Sequence, residues 1–316
     1  MSNTSPNAVN KPAAPVIACS FAAVAGVLAV CLAGCSRDGA PPAQAAASPT
    51  PATAVVAAPP HAEAAVEAPS VDKTRTAELM QAIFGDNYHA DDSSALLVIE
   101  DGEDAGNWRM SLHAAKELAD GRTVVVANGA PADENGNELS AHASAGMLSV
   151  YTLRRANDTW QVVERHDDVG TMGSSGNIGI VKWIDLGEGR PGIVVSSGGT
   201  WFGSTIMDAQ VFDLDHGMRS LGGFAELSSN AGGCMPETKD CWDVDGKIGS
   251  VPAAHPGEYR DILVDFAGKH FRVTESANGD LVEHLTRKVS QTARYRFNGK
   301  IYVLVSGENP VPAIDG

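Results

Sequence analysis

Few side chains in this 316-residue sequence are spaced for chemistry. His166-Asp167-Asp168 sets an imidazole beside two carboxylates, the pairing a general base uses, but a hydroxyl nucleophile would have to arrive from a distant segment. Gly173-Ser174-Ser175-Gly176 and Ser196-Ser197-Gly198-Gly199 read as turns between strands rather than as nucleophiles. Asp243 and Asp245 alternate ahead of Gly246, as the carboxylates of a calcium loop do. A hard cation takes six or more oxygens, however, and Gly249 stands where a later acid is needed. There is no Gly-x-Ser-x-Gly elbow, no His-Glu-x-x-His, no phosphate-binding glycine loop and no Cys/His zinc spacing. No catalytic residue and no cofactor is therefore assigned, Ca²⁺ at Asp243 and Asp245 being the single metal candidate, and the chain is read as a non-enzyme.

The five cysteines carry more information. Cys19 and Cys31 lie in a segment with the anatomy of an export signal: a polar start whose one cation is Lys11, an apolar run from Val16 to Leu32, then small residues. At about 17 residues the run also reaches the lower limit for a spanning helix, so a plain membrane anchor is the alternative. Leu32-Ala33-Gly34-Cys35 resembles the cleavage box of bacterial lipoproteins. The resemblance implies that residues 1–34 are a signal peptide and that Cys35 carries lipid as the first mature residue. Two or more acyl chains, palmitate among them, suffice for stable anchoring at about 0.8 kcal/mol per buried methylene. Ser36, where inner-membrane lipoproteins tend to have Asp, implies the outer membrane, facing the periplasm.

Residues 35–70 form a linker: between Gly39 and Ser70, 20 of 32 residues are Ala or Pro, too poor a composition for a core. Extended at about 3.1 Å per residue, it reaches up to roughly 100 Å. The folded part is then 71–316. The whole chain carries −16, or about −17 without the segment that holds Lys11. Such a polyanion excludes nucleic acid as a partner and leaves the lipid as its sole link to the membrane. The two remaining cysteines, Cys234 and Cys241, are expected to form a disulfide in an oxidising periplasm.

The elements that would position any site read as all-β, a propeller-like array or a sandwich, with one N-terminal helix. Leu79, Met80, Ile83 and Phe84 make one helical face ahead of a Gly85 stop. Short β-branched runs follow, among them Thr123 to Val126, Leu148 to Leu153, Ile193 to Val195, Asp261 to Phe266 and Lys269 to Val273. Arg122, Arg190 and Arg260 each precede such a run, 68 and 70 residues apart, a spacing of one propeller blade per unit. Trp183 to Val195 resembles the FG-GAP, or integrin-like, propeller repeat; only Asp185 matches its calcium loop, with Gly187, Gly189 and Gly192 in place of further ligands.

Ser197-Gly198-Gly199-Thr200-Trp201 is similar to the loop that periplasmic lysozyme inhibitors insert into their target, with Trp for Tyr. The resemblance implies that Ser197 meets the catalytic carboxylates while Trp201 buttresses the turn. Trp201 and Phe202 would supply the aromatic anchor of an interface. The expected function is thus a lipid-anchored periplasmic binding protein, an inhibitor or immunity protein against a basic peptidoglycan hydrolase. A structural role in envelope assembly is the alternative, and a hydrolase is the second.

Overall fold

The computed structural model describes residues 72–215, 217–252, 255 and 257–313. The expected signal peptide, the expected lipidation at Cys35 and the expected linker lie outside the described residues.

The first element is the expected helix, α1 (Lys73–Phe84). Asp72 caps it by accepting from the Thr74 amide at 3.3 Å, and Gly85, at φ +57°, ends it with its own N–H on the Gln81 carbonyl. Its stripe of Leu79, Met80, Ile83 and Phe84 is buried.

Among the described residues fourteen strands follow in two antiparallel sheets. The first contains β1 (Tyr88–His89), β2 (Ser94–Ile99), β3 (Gly106–Glu117), β4 (Arg122–Ala132), β5 (Gly146–Ala156) and β6 (Thr159–Met172). The second contains β7 (Ile180–Gly187), β8 (Arg190–Trp201), β9 (Ser204–Asp213), β10 (Arg219–Ser229), β11 (Cys241–Val251), β12 (Asp261–Glu275), β13 (Leu281–Phe297) and β14 (Tyr302–Ser306). Within each sheet every strand pairs with its neighbours in sequence, so both are meanders. The sandwich alternative is therefore the observed one. The propeller reading is corrected: the repeated arginines do mark every fourth strand, at β4, β8 and just before β12, but the break between sheets falls after β6 and no four-stranded blades form.

Among the described residues four apolar clusters form, a small one around Cys234, Cys241, Phe271 and Val273 and three larger ones that pack the sheets. Val125, Ala127, Met147, Tyr151 and Leu153 of the first sheet pack under α1. From its other face Val124, Val126, Leu148 and Val150 meet Ile193, Val195 and Phe212 of the second sheet. Strands β4 and β5 are thus buried on both sides, and for that reason read in sequence as largely apolar runs with small polar residues rather than as a strict alternation. The second sheet curls around its own core of Val194, Val211, Leu221, Val244, Val264, Phe266, Val289 and Tyr295.

One buried polar side chain ties the sheets at their junction. Asn128 Nδ2 donates to the Gly176 carbonyl at 2.9 Å, and its Oδ1 accepts from the Ile178 amide at 2.8 Å, both in the connection between β6 and β7. Asn128→Ala should orphan two backbone groups and cost about 2–3 kcal/mol, measured by urea unfolding. His113, also at this junction, has its pKa lowered by burial, with a hydrogen bond to the Gly179 backbone opposing. Because the unfolded state binds the proton more readily, stability should fall as pH drops below the unperturbed value near 6.5. His113→Gln should flatten that part of the Tm profile.

Candidate functional site

The segment from Ser197 to Trp201 is not a loop but the end of β8, in register with β9 from Ser197 opposite Asp208 to Trp201 opposite Ser204. The same pairing corrects the turn expected at Ser196–Gly199. Gly198 makes it possible, since a Cβ there would fall 1.8 Å from the Ile206 carbonyl oxygen. Ser197 is 6 % exposed and so is not presented to a partner, while burial raises the pKa of Asp208 across from it.

Only Phe202 and Gly203 remain to turn the chain, at φ +50° and +80°, the positive angles of a type I′ hairpin. Glycine fits that conformation; phenylalanine does not favour it. Phe202 is nevertheless fully exposed, with Trp201 beside it at 38 %.

This tip is held firmly. Thr200 and Thr205 hydroxyls meet across the hairpin at 2.8 Å just below it. His142, from the connection between β4 and β5, bonds through Nε2 to the Thr200 carbonyl at 2.7 Å; the carbonyl can only accept, so Nε2 carries the proton. Its ring meets Trp201 edge-on, centroids 5.9 Å apart, and its Nδ1 lies 3.4 Å from Ser175 Oγ. On the other flank Gly203 sits on Gly232 and Gly233, where a Cβ would come within 2.4 Å of backbone. That short 3-10 turn, Ala231–Gly233, leads into Cys234, which is paired with Cys241 at a Cα separation of 6.1 Å. The exposed Met235 lies in the loop they close.

The other candidates are placed apart from the tip. His166 and Asp168 lie within β6, with His166 opposite Val150. Asp167 between them is structural: Tyr151 OH donates to it at 2.8 Å and Arg165 Nε at 2.7 Å. Burial, with the Asp104 carboxylate nearby, raises the pKa of Asp168. Asp243 and Asp245 lie in β11, in register with Lys269 and Ala267, and among the described residues no group of three or more metal-ligating side chains gathers. Asp185 accepts from the Gly187 amide at 3.1 Å and pairs with Arg260 at 3.0 Å, closing the β7–β8 hairpin.

Sequence reading found the two aromatics but missed their supports. Of the turn pair Phe202-Gly203 only the glycine is a hairpin signal. Nothing in sequence ties His142 or the Gly232–Gly233 turn to it. No protein family model, no curated protein and no solved structure matches this chain.

Phe202 is thus an exposed aromatic in a backbone conformation that suits Asn or Gly better. Phe202→Asn should therefore raise stability by roughly 0.5–1 kcal/mol, or about 2–4 °C in Tm by calorimetry.

Proposed function

We propose that this chain is a lipid-anchored periplasmic binding protein whose Trp201–Phe202 tip enters the cleft of a protein partner, the most concrete being a basic peptidoglycan hydrolase. The observation that carries this reading is the tip itself: a fully exposed Phe202 on a two-residue turn, braced by His142 on one flank and by the Gly232–Gly233 backbone on the other. A preordered aromatic loses little conformational entropy on binding and buries a large apolar area, the combination expected of an interface anchor. The acidic chain favours a cationic partner and would speed their encounter at low salt. Lipid attachment at Cys35 and the Ala/Pro-rich linker would place the tip within reach of the cell wall.

The serine of the inhibitor-like string has no part in this version, because Ser197 is buried in β8. Insertion is assigned instead to the two residues that follow Thr200. Binding, not turnover, is the proposed activity.

The test is the rate at which a basic lysozyme clears a peptidoglycan suspension, with and without the purified protein, at low and high salt. Equimolar protein should slow clearance at low salt, and Phe202→Asn or Trp201→Ala should relieve the inhibition at least tenfold while Ser197→Ala leaves it intact. Unchanged clearance at low salt would remove the hydrolase as partner. Inhibition that survives both tip variants would remove the tip.

A further inference from the structure

Strand β13 leaves most of one edge open, a feature independent of the tip. Strand β12 pairs with one side of it over residues 281–295, but on the other side β14 reaches only residues 294–297. Among the described residues no backbone group pairs with that outer side over residues 281–291, where N–H and C=O groups face outward at alternate positions.

The open stretch is apolar on one face. Leu281 and Leu285, four residues apart and so on the same side of the pleat, are 53 % and 65 % exposed. Leu285 stands opposite Phe271, which is buried with Val273 against the Cys234–Cys241 pair, yet neither leucine joins that cluster. A strand added beside β13 would extend the cluster over both.

Charge selects the strand. β13 holds Arg287, Lys288, Arg294 and Arg296 against Glu283 alone, in a chain of −16. Glu283 is paired with Lys269, and Asp261 takes Arg294 and Arg296. Arg287 and Lys288, on the open stretch, pair with no carboxylate among the described residues; Arg287 donates instead to His270 Nε2 at 2.6 Å. His270 is in register with Arg287 on the face opposite Phe271, so Arg287 lies on the face opposite the two leucines. Cations on an edge turn away neutral and basic strands, but across a ladder they attract acidic ones.

We propose that residues 281–291 dock an extended acidic segment of a partner protein, which joins the second sheet as a strand. Alternating apolar and acidic side chains in that segment would meet the leucines on one face and Arg287 on the other.

The test titrates the full chain into three end-capped, fluorescein-labelled peptides, (Glu-Val)4, (Lys-Val)4 and (Glu-Pro)4, and reads anisotropy at low salt. (Glu-Val)4 should bind about tenfold more tightly than the others, because like charges oppose the lysine peptide and proline removes ladder donors. Its binding should slow amide hydrogen exchange over residues 281–291. Lys288→Glu and Leu285→Ser, both at exposed positions, should each weaken it severalfold with Tm unchanged. Equal affinity for (Glu-Pro)4 would reduce the contact to charge alone and overturn the proposal. No binding of (Glu-Val)4 at millimolar concentration, or protection that falls outside β13, would do the same. Self-association through this edge that (Glu-Val)4 fails to displace would assign it to a second copy of the chain and remove the acidic partner.

Discussion

The two sheets are held in relation by a backbone connection that cannot form a strand and must still satisfy its polar groups inside the molecule. Asn128 solves this by donating to one end of that connection and accepting from the other. Glycines complete the fit: Cβ atoms at Gly146, Gly173 and Gly176 would each fall within 2.6 Å of neighbouring atoms. Once the connection is fixed, the face made by Ile193, Val195 and Phe212 meets that made by Val124, Val126 and Leu148. The same junction brings Ser175 to His142, and through His142 reaches Thr200 and Trp201. The stiffness of the tip thus begins with one amide in β4.

How much of this was legible follows from which side chains face water. Strands β4 and β5, buried on both sides, announce themselves in composition, and α1 does so through four apolar residues on one face. Strands β10, β11 and β13 do not. Leu281–Phe297 carries charged and polar residues along an almost wholly exposed face, and Arg219–Ser229 contains the pair Gly222-Gly223. The two runs expected at Asp261–Phe266 and Lys269–Val273 are one strand, continuous through Gly268. Composition also misled at Ser196–Gly199, where small residues signal a tight strand pairing rather than a turn.

The candidate site was legible only as residue types. Trp201 and Phe202 stood out because aromatics are rare in a Gly/Ser-rich stretch, whereas the strand under Ser197 depends on Ile206 and Met207, several residues on. The spaced arginines were a true regularity given the wrong cause. At one end of the strands Arg122 bridges to Asp215 at 2.6 Å, Arg260 to Asp185 at 3.0 Å, and Arg190 lies 4.5 Å from the Tyr259 ring centroid. Each cation fastens the start of a strand to a residue near the end of a neighbouring strand or in the segment beside it, so the period records repeated clamping rather than repeated blades.

The meander order has a consequence for how the molecule is made. Every ladder in both sheets joins strands adjacent in the chain, so no pairing waits for a distant segment to arrive. Short loops close at little entropic cost, and contacts that are local in sequence form quickly. A chain delivered from its N-terminus can therefore zip one hairpin after another, and the order of delivery is the order of assembly. The first sheet receives its helix before the second sheet begins, and each new strand covers the open edge of the last, leaving little time for that edge to recruit a stranger.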